Sequence, residues 1–332
     1  VAFVDKCINQ RSNPDTLKIF PILKNEAMYK KMTILFSILL SFCSVKAQLK
    51  EFTLTDEWVK KIEKLAPAKA EVQTKKHHKV LVFSLFTGFD HWVVPHTNAV
   101  MKVLAEKTGA FEVEISNDIY QFEKKNLKNY DAIVLNNNCS VGPRRDLLMD
   151  VLDKDKSLSD DQRKKKAAEL ESNLIEYVKK GGGLMVVHGA IVMQNNSMAF
   201  SEMVGGSFDY HPVQQVVTLE LCEPDHPLVK AFDGKPFVHT DEPYLFNKAY
   251  SQKNFRPLLY MNTSKLIKKT KEIDEEIKYV SWIKQFGKGR VFYVSPSHNA
   301  QSFEDSRLLK FYLDGTQYVL GDLKCDDSPA KL

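Results

Sequence analysis

Gly181-Gly-Gly-Leu-Met-Val-Val-His188-Gly-Ala190 is the stretch on which the fold turns. Upstream of it, Ser157–Lys180 places apolar residues at Leu170, Leu174, Ile175, Tyr177 and Val178, the spacing of a helix face. That segment opens with Ser159 followed three residues later by Gln162, the pairing of a capping box. The three glycines stop the helix. Leu184–Val187 is then unbroken apolar sequence, the pattern of a strand buried on both faces of a parallel sheet. A histidine stands directly at its carboxyl end.

The same grammar repeats outward. Lys79–Phe86 is another apolar run, Thr97–Lys107 has helical period, Phe111–Ile115 is a short strand, and Asp131–Asn136 is a buried one. Beyond residue 210 the strands are shorter (Gln215–Leu221, Arg256–Met261, Lys278–Ile283, Arg290–Val294), and an amphipathic helix near Asp305–Tyr318 closes the pattern. Strand–helix alternation predicts a doubly wound α/β domain with a parallel sheet over residues 79–322. Residues 48–78 form a charged lead-in and 323–332 a tail. No internal repeat, low-complexity tract or Pro/Ser-rich linker interrupts the domain.

The 332 residues carry 47 Lys+Arg against 42 Asp+Glu, a formal net charge of +5. Most of that excess sits in a leader. Met28-Tyr-Lys-Lys-Met32, the apolar run Thr33–Val45 and the Val45-Lys-Ala47 ending read as a secretory signal peptide over residues 28–47. The apolar run is shorter than the roughly 17–25 residues of a membrane span, and bulky Phe42 before Cys43 argues against lipidation. Residues 1–27 read as an upstream extension, with initiation at Met28 or Met32. Export to a periplasm or the medium is therefore expected, with no stable membrane insertion afterwards. Without residues 1–47 the chain keeps 40 basic and 39 acidic residues, so no electrostatic case for nucleic acid remains. Cys139, Cys222 and Cys325 stay, in no metal or redox spacing.

Chemistry concentrates at strand ends, where open α/β sheets bind ligands. His91 follows the first strand with Trp92 beside it, His188 follows Val187, and His298 follows the Arg290 strand. Asp209-Tyr-His211-Pro and His239-Thr-Asp241-Glu242-Pro-Tyr244 add further candidates. Imidazoles and carboxylates in such numbers suit one divalent metal ion, Zn or similar, or a general acid/base pair. His188, His239 and His298 are the expected metal ligands, and His188, His298 and Glu242 the expected catalytic groups. His91, Trp92, His211, Asp241 and Tyr244 are the expected substrate contacts, with Phe89 as a further stacking surface. His77 and His78 read as solvated, His226-Pro as a turn opening a helix, and Cys139 as a buried inert thiol. No G-x-G-x-x-G, Walker A, H-E-x-x-H or G-x-S-x-G motif occurs, so no nucleotide cofactor is expected.

The Gly181–Ala190 segment resembles the central signature of the ThuA-like (trehalose utilisation) family. Thr87–His91, Phe208–Pro212, Asp225–Leu228, Thr240–Tyr244 and Phe286–Tyr293 leading to Ser297-His298 run in the family's order, covering roughly residues 79–321. Two departures stand out: Asp150–Ala168 lengthens the region before the glycines, and Trp92 follows His91 where a polar residue is usual. The resemblance implies a flavodoxin-like sheet akin to class I glutamine amidotransferases. It places His188 where those enzymes carry their cysteine, so amidotransferase chemistry by that route is not expected. It also implies a small carbohydrate as partner, a trehalose-like disaccharide or an oxidised (keto) glycoside. The reaction would be a metal-assisted elimination, hydration or isomerisation. A non-catalytic sugar-binding or scaffold module, or a metal-dependent hydrolase, stand as alternatives.

Overall fold

The computed structural model describes residues 49–330. The expected extension (1–27) and leader (28–47) lie outside the described residues. The lead-in forms helix α1 (Asp56–Leu65), capped by the Thr55 side chain and buried through Trp58 and Ile62. Val72 exchanges two hydrogen bonds with the side chain of Gln317, so this segment is packed onto the domain.

Strand β1 (Lys79–Phe83) is followed by α2 (Val94–Thr108), β2 (Glu112–Ser116), the single turn α3 (Lys124–Leu127) and β3 (Ala132–Asn136). Helices α4 (Leu147–Leu152) and α5 (Asp160–Lys179) come next, and Ser159 and Gln162 make the expected capping box on α5. The lengthened segment Asp150–Ala168 thus spans the end of α4, a turn and the first half of α5. Strand β4 (Gly183–Val187) resumes the sheet. Every residue of β3 and β4 is buried, as their unbroken apolar runs require. A fully buried Val or Leu in such a strand stabilises the fold by about 1.5–3 kcal/mol relative to exposure.

The glycine run does more than stop a helix. A Cβ on Gly183 would lie 2.4 Å from the carbonyl oxygen of Val319, in α7 (Ser306–Leu320). Only a residue without Cβ lets β4 start this close to that helix. Its contact is with backbone, which cannot swing aside.

After β4 come α6 (Met198–Val204), β5 (Ser207–Tyr210), β6 (Gln215–Leu221), β7 (Phe237–Asp241), β8 (Leu245–Asn247), β9 (Arg256–Asn262), β10 (Ile277–Phe286) and β11 (Gly289–Val294). Nine strands form one sheet in the order β2-β1-β3-β4-β11-β10-β9-β6-β7, and β5 pairs with β8 separately. The first five are mutually parallel, the doubly wound arrangement expected from the sequence. The last four extend the sheet in antiparallel fashion, which the sequence reading did not foresee. The reason is local: β10 and β11 are separated by only Gly287 and Lys288. Two residues can close a hairpin but not a parallel crossover, which needs a dozen or more.

His226 opens a short helical turn (Pro227–Phe232), as expected, accepting from the Leu228 amide. His78, by contrast, is 2% exposed and not solvated. Its ring sits between Asp131 (3.6 Å) and Asp322 (3.0 Å), tying the residues just after Leu320 to the entry of β1. Cys139, Cys222 and Cys325 are free thiols. Among the described residues, no helix is long and apolar enough to cross a membrane.

Candidate metal centre at the strand ends

Strands β1, β4 and β11 lie close in the sheet and point the same way, so the residues after their carboxyl ends converge. The loop after β1 carries His91, the first residue past β4 is His188, and the loop after β11 carries His298. The three rings meet pairwise at 5.3 Å between centroids, steeply inclined to one another.

His188 adopts φ +44°, a left-handed conformation at the sharp strand-to-helix turn. For a residue with a Cβ this costs about 1–2 kcal/mol, and the surrounding contacts hold it. Nδ1 of His188 lies 2.8 Å from the Ser295 carbonyl oxygen. A carbonyl only accepts, so Nδ1 carries the proton and Nε2 presents its lone pair. The next residue, Gly189, lets His91 approach, since a Cβ there would stand 2.6 Å from the His91 ring.

Glu242 arrives from the far edge of the sheet, just past β7. Asp241 is what brings it there. Its Oδ2 accepts from the backbone amides of Ser297 (2.9 Å) and His298 (3.4 Å), pinning the β7 corner to the loop after β11. Ser297, at φ +144°, is further held by the Tyr312 hydroxyl, which donates to its Oγ at 2.7 Å. Oε2 of Glu242 consequently sits 3.2 Å from His298 Nδ1 and 3.7 Å from His188 Nε2.

One donor atom from each of His91, His188, Glu242 and His298 falls within a cluster no wider than 4.8 Å. The three histidines are 0–5% exposed, yet both nitrogens of His91, Nε2 of His188 and Nδ1 of His298 have no hydrogen-bond partner. A buried polar atom left unsatisfied costs about 1–3 kcal/mol, so unpartnered nitrogens on three rings, one from each facing the same point, call for an explanation. Three imidazoles and one carboxylate are the donor types of a transition-metal site, and the Ser295 carbonyl is the outer partner that fixes a ligating histidine's tautomer. The residues fit a divalent ion.

The electrostatics agree. Burial, with His188 and His298 beside it, holds His91 well below the usual imidazole range, in the neutral form a metal needs. Burial alone would raise Glu242, but His188 and His298 outweigh it and keep the carboxyl far below its ordinary value. Burial works to lower His298 as well, and the Glu242 carboxylate overrides it, raising that imidazole.

A cavity of about 250 Å³ opens beside the cluster, walled by Phe89, Cys139, Arg145, Phe208, His211 and Tyr244. Larger hollows, of about 510 and 410 Å³, lie near His77–His78 and Tyr130–Gly182. Those sit at the opposite, amino ends of the strands, away from the convergent histidines. His211 stacks on Tyr244 (5.4 Å, 21°), and its Nε2 is 3.7 Å from Glu242. Phe89, 57% exposed, stands at the mouth.

Of the residues singled out in the sequence, His188, His298 and Glu242 are brought together, and His91 joins them rather than standing apart as a substrate contact. His211 and Tyr244 line the cavity. Trp92 does not: it packs on Phe52 and His96 beneath α2. His239 stands outside the cluster, its Nδ1 facing Asp241 (3.2 Å) and the Ser302 hydroxyl (3.1 Å). Strand alternation explains this, because residues two apart share a face: His239 goes with Asp241, while Glu242 takes the other side. Asp241 itself is 3% exposed and spends its carboxylate on backbone amides rather than facing the cavity. Cys139 is buried and its thiol is pushed up by that burial, in keeping with an inert role.

Sequence reasoning gave Asn136–Asn138 and Arg145 no role. Asn136 donates to Val94 and Asn98, Asn138 to the carbonyls of Phe83 and Leu85, and the Asn137 side chain accepts from the Gly189 amide. These amides staple the loops after β1 and β4 to the loop after β3. Three consecutive asparagines after a buried strand were the available signal.

The trehalose utilisation family, ThuA, matches residues 79–319. Among solved structures, the chain is similar to a ThuA-like protein from Bacteroides uniformis at 18% identity, with a TM-score of 0.56 over 74% of this chain and 93% of that one. It is also similar to a ThuA-like protein from Parabacteroides merdae at 19% identity, with a TM-score of 0.52 over 75% and 92% of the two chains. At these identities the likeness speaks for the fold alone, a flavodoxin-like sheet. No curated protein matches the chain. With the match running from the start of β1 almost to the end of α7, the chain belongs to the ThuA, or trehalose utilisation, family.

Proposed function

We propose that this ThuA-family chain is an exported, metal-assisted enzyme acting on a small sugar, an oxidised glycoside or a trehalose-type disaccharide. The observation that carries this reading is the convergence of unpartnered nitrogens from His91, His188 and His298 on the Glu242 carboxylate. These four side chains would hold one divalent ion. When bound, such an ion supplies Lewis acidity toward a sugar carbonyl or a bound water.

The rest of the chemistry belongs to the chain. Phe208 and the exposed Phe89 offer aromatic surface to a sugar ring, Phe89 from the entrance, while Tyr244 backs His188 and His211. His211 is a proton carrier at Nε2: its Nδ1 is engaged by the Pro212 carbonyl at 2.8 Å, which fixes the tautomer, and the ring is reachable from solvent. Asp241 holds Glu242 and His298 in register from behind. A cavity of about 250 Å³ falls just below the ~300–1,000 Å³ of ordinary small-molecule sites, so one sugar ring enters and a second stays at the mouth. Residues 28–47 supply the export signal in this reading.

The test is metal content and turnover. Chain starting at Gln48, purified without a His tag, is assayed for Zn, Mn, Fe, Co and Ni, then for action on glycosides and 3-keto-glycosides, beside His188→Ala. One equivalent of metal in the parent, and neither metal nor turnover in the variant, is expected. Absence of stoichiometric metal together with unchanged turnover in the variant would sink the reading.

A further inference from the structure

Arg144 and Arg145 adjoin each other on the loop after β3 and have opposite fates. Arg144 spends its charge on Asp150 (2.5 Å) and Asp153 (2.6 Å), fastening the loop to α4 and the turn beyond it. Asp150, 8% exposed, also accepts from the Thr87 hydroxyl and the Val141 amide, so this clamp is complete without Arg145. Arg145 forms no ion pair with any described residue. Its Nη1 donates to the Ser140 carbonyl at 2.7 Å, and its left-handed backbone, φ +54°, turns it to the cavity wall.

The charge around that cavity is unbalanced. On the reading proposed above, a divalent ion contributes +2, Glu242 −1 and Arg145 +1, leaving +2 on a space of about 250 Å³. Buried Asp241 behind the site returns one negative charge and leaves an excess of +1. A substrate with no charge would leave the guanidinium half-desolvated with a single carbonyl partner. An anionic group would give it charge-assisted bonds about twice as strong as neutral ones, in the two-pronged geometry a guanidinium offers.

We propose that Arg145 is a substrate-selecting residue, and that the cavity takes one sugar ring bearing an anionic group, a carboxylate or a phosphate, held by this guanidinium opposite the metal cluster. The ring lies against Phe208 and Phe89 while the anion reaches the loop after β3. The proposal rests on the metal reading for its charge balance but makes a separate claim about the ligand.

The test is calorimetric binding to the untagged protein at physiological salt, with matched pairs: D-glucuronate against D-glucose, D-galacturonate against D-galactose, and D-glucose 6-phosphate against D-glucose. At least one acid is expected to bind tenfold or more tightly than its neutral partner. The uronate and phosphate arms tell which anion is meant. Arg145→Met should erase that preference, bringing the acid down to the affinity of its neutral partner, and Arg145→Lys, the variant to use if Met disturbs folding, should keep part of it. No preference in any pair, or a preference that survives Arg145→Met, overturns the proposal. So does equal weakening of acid and neutral sugars, the mark of a purely structural arginine. Metal content measured in parallel separates the two readings: an Arg145-dependent preference in metal-free protein supports this proposal and defeats the metal centre. Bound metal without any preference does the reverse.

Discussion

The two halves of the sheet build the site in different ways. In the parallel half, β1, β4 and β11 deliver three histidines straight from strand ends, and their positions follow from strand direction and pairing alone. In the antiparallel half, the contribution comes from the last strand, β7, four strands away from β11. Strand direction does not put Glu242 beside His298; a carboxylate brace does, through Asp241 to the amides of Ser297 and His298. The parallel half is thus a rigid frame carrying a partial ligand set. The antiparallel half completes that set and leads into Tyr244, while Phe208 and His211 of the same cavity wall come from β5 and the residues just after it, outside the nine-stranded sheet.

Several experiments would break or sharpen this contrast. The largest effect is expected from His188→Ala, which removes a ligand from the frame itself. Metal affinity should fall by more than the roughly 10–100-fold typical of losing an outer-shell partner, as read by equilibrium dialysis. Asp241→Asn tests the brace. It should cost about 10–100-fold in metal affinity while the far-ultraviolet circular dichroism stays that of the parent. An unchanged affinity would mean the antiparallel half is positioned by something else. Gly183→Ala attacks the frame without touching any ligand. Its Cβ meets the Val319 carbonyl at 2.4 Å, so urea unfolding should show a loss of about 1–3 kcal/mol. His239→Ala should be the mildest for the metal, changing affinity less than about 3-fold, because His239 faces Asp241 and Ser302 and not the cluster.

Acidity probes the same seam. Metal binding must displace protons from the imidazoles. His298 is raised by Glu242, so of the two shifted rings it takes its proton first as pH falls, while His91, lowered by burial, stays neutral longest. Apparent metal affinity should therefore drop on acidification from pH 8 to pH 5. Glu242→Gln should weaken binding overall but move the onset of that drop to lower pH, since the group raising His298 is gone.

The same contrast governs what the sequence disclosed. Unbroken apolar runs at β1, β3 and β4, the capping box at Ser159 and the glycine stop made the parallel half legible. Histidines after three strand ends were visible as a pattern because parallel strands share one carboxyl edge. The antiparallel half has no such edge rule. Burial along β6 alternates, and the pairing of β7 depends on contacts remote in sequence. For that reason His239 reads from the sequence as a metal ligand and Glu242 as a catalytic group only, and it is the pleat of β7 that turns Glu242 to the cluster and His239 away. Trp92 was unreadable for a similar reason: its partners, Phe52 and His96, come from the lead-in and α2. Asp241 was noticed as a carboxylate, but its work on backbone amides leaves no mark in sequence.

Cobalt(II) titration followed by visible absorption tests most directly whether the two halves share one metal centre. The account predicts saturation at one equivalent, with d–d bands of an imidazole-rich site that are lost or displaced in both His91→Ala and Glu242→Ala and retained in His239→Ala. Bands that survive Glu242→Ala unchanged, or that vanish only in His239→Ala, would contradict it.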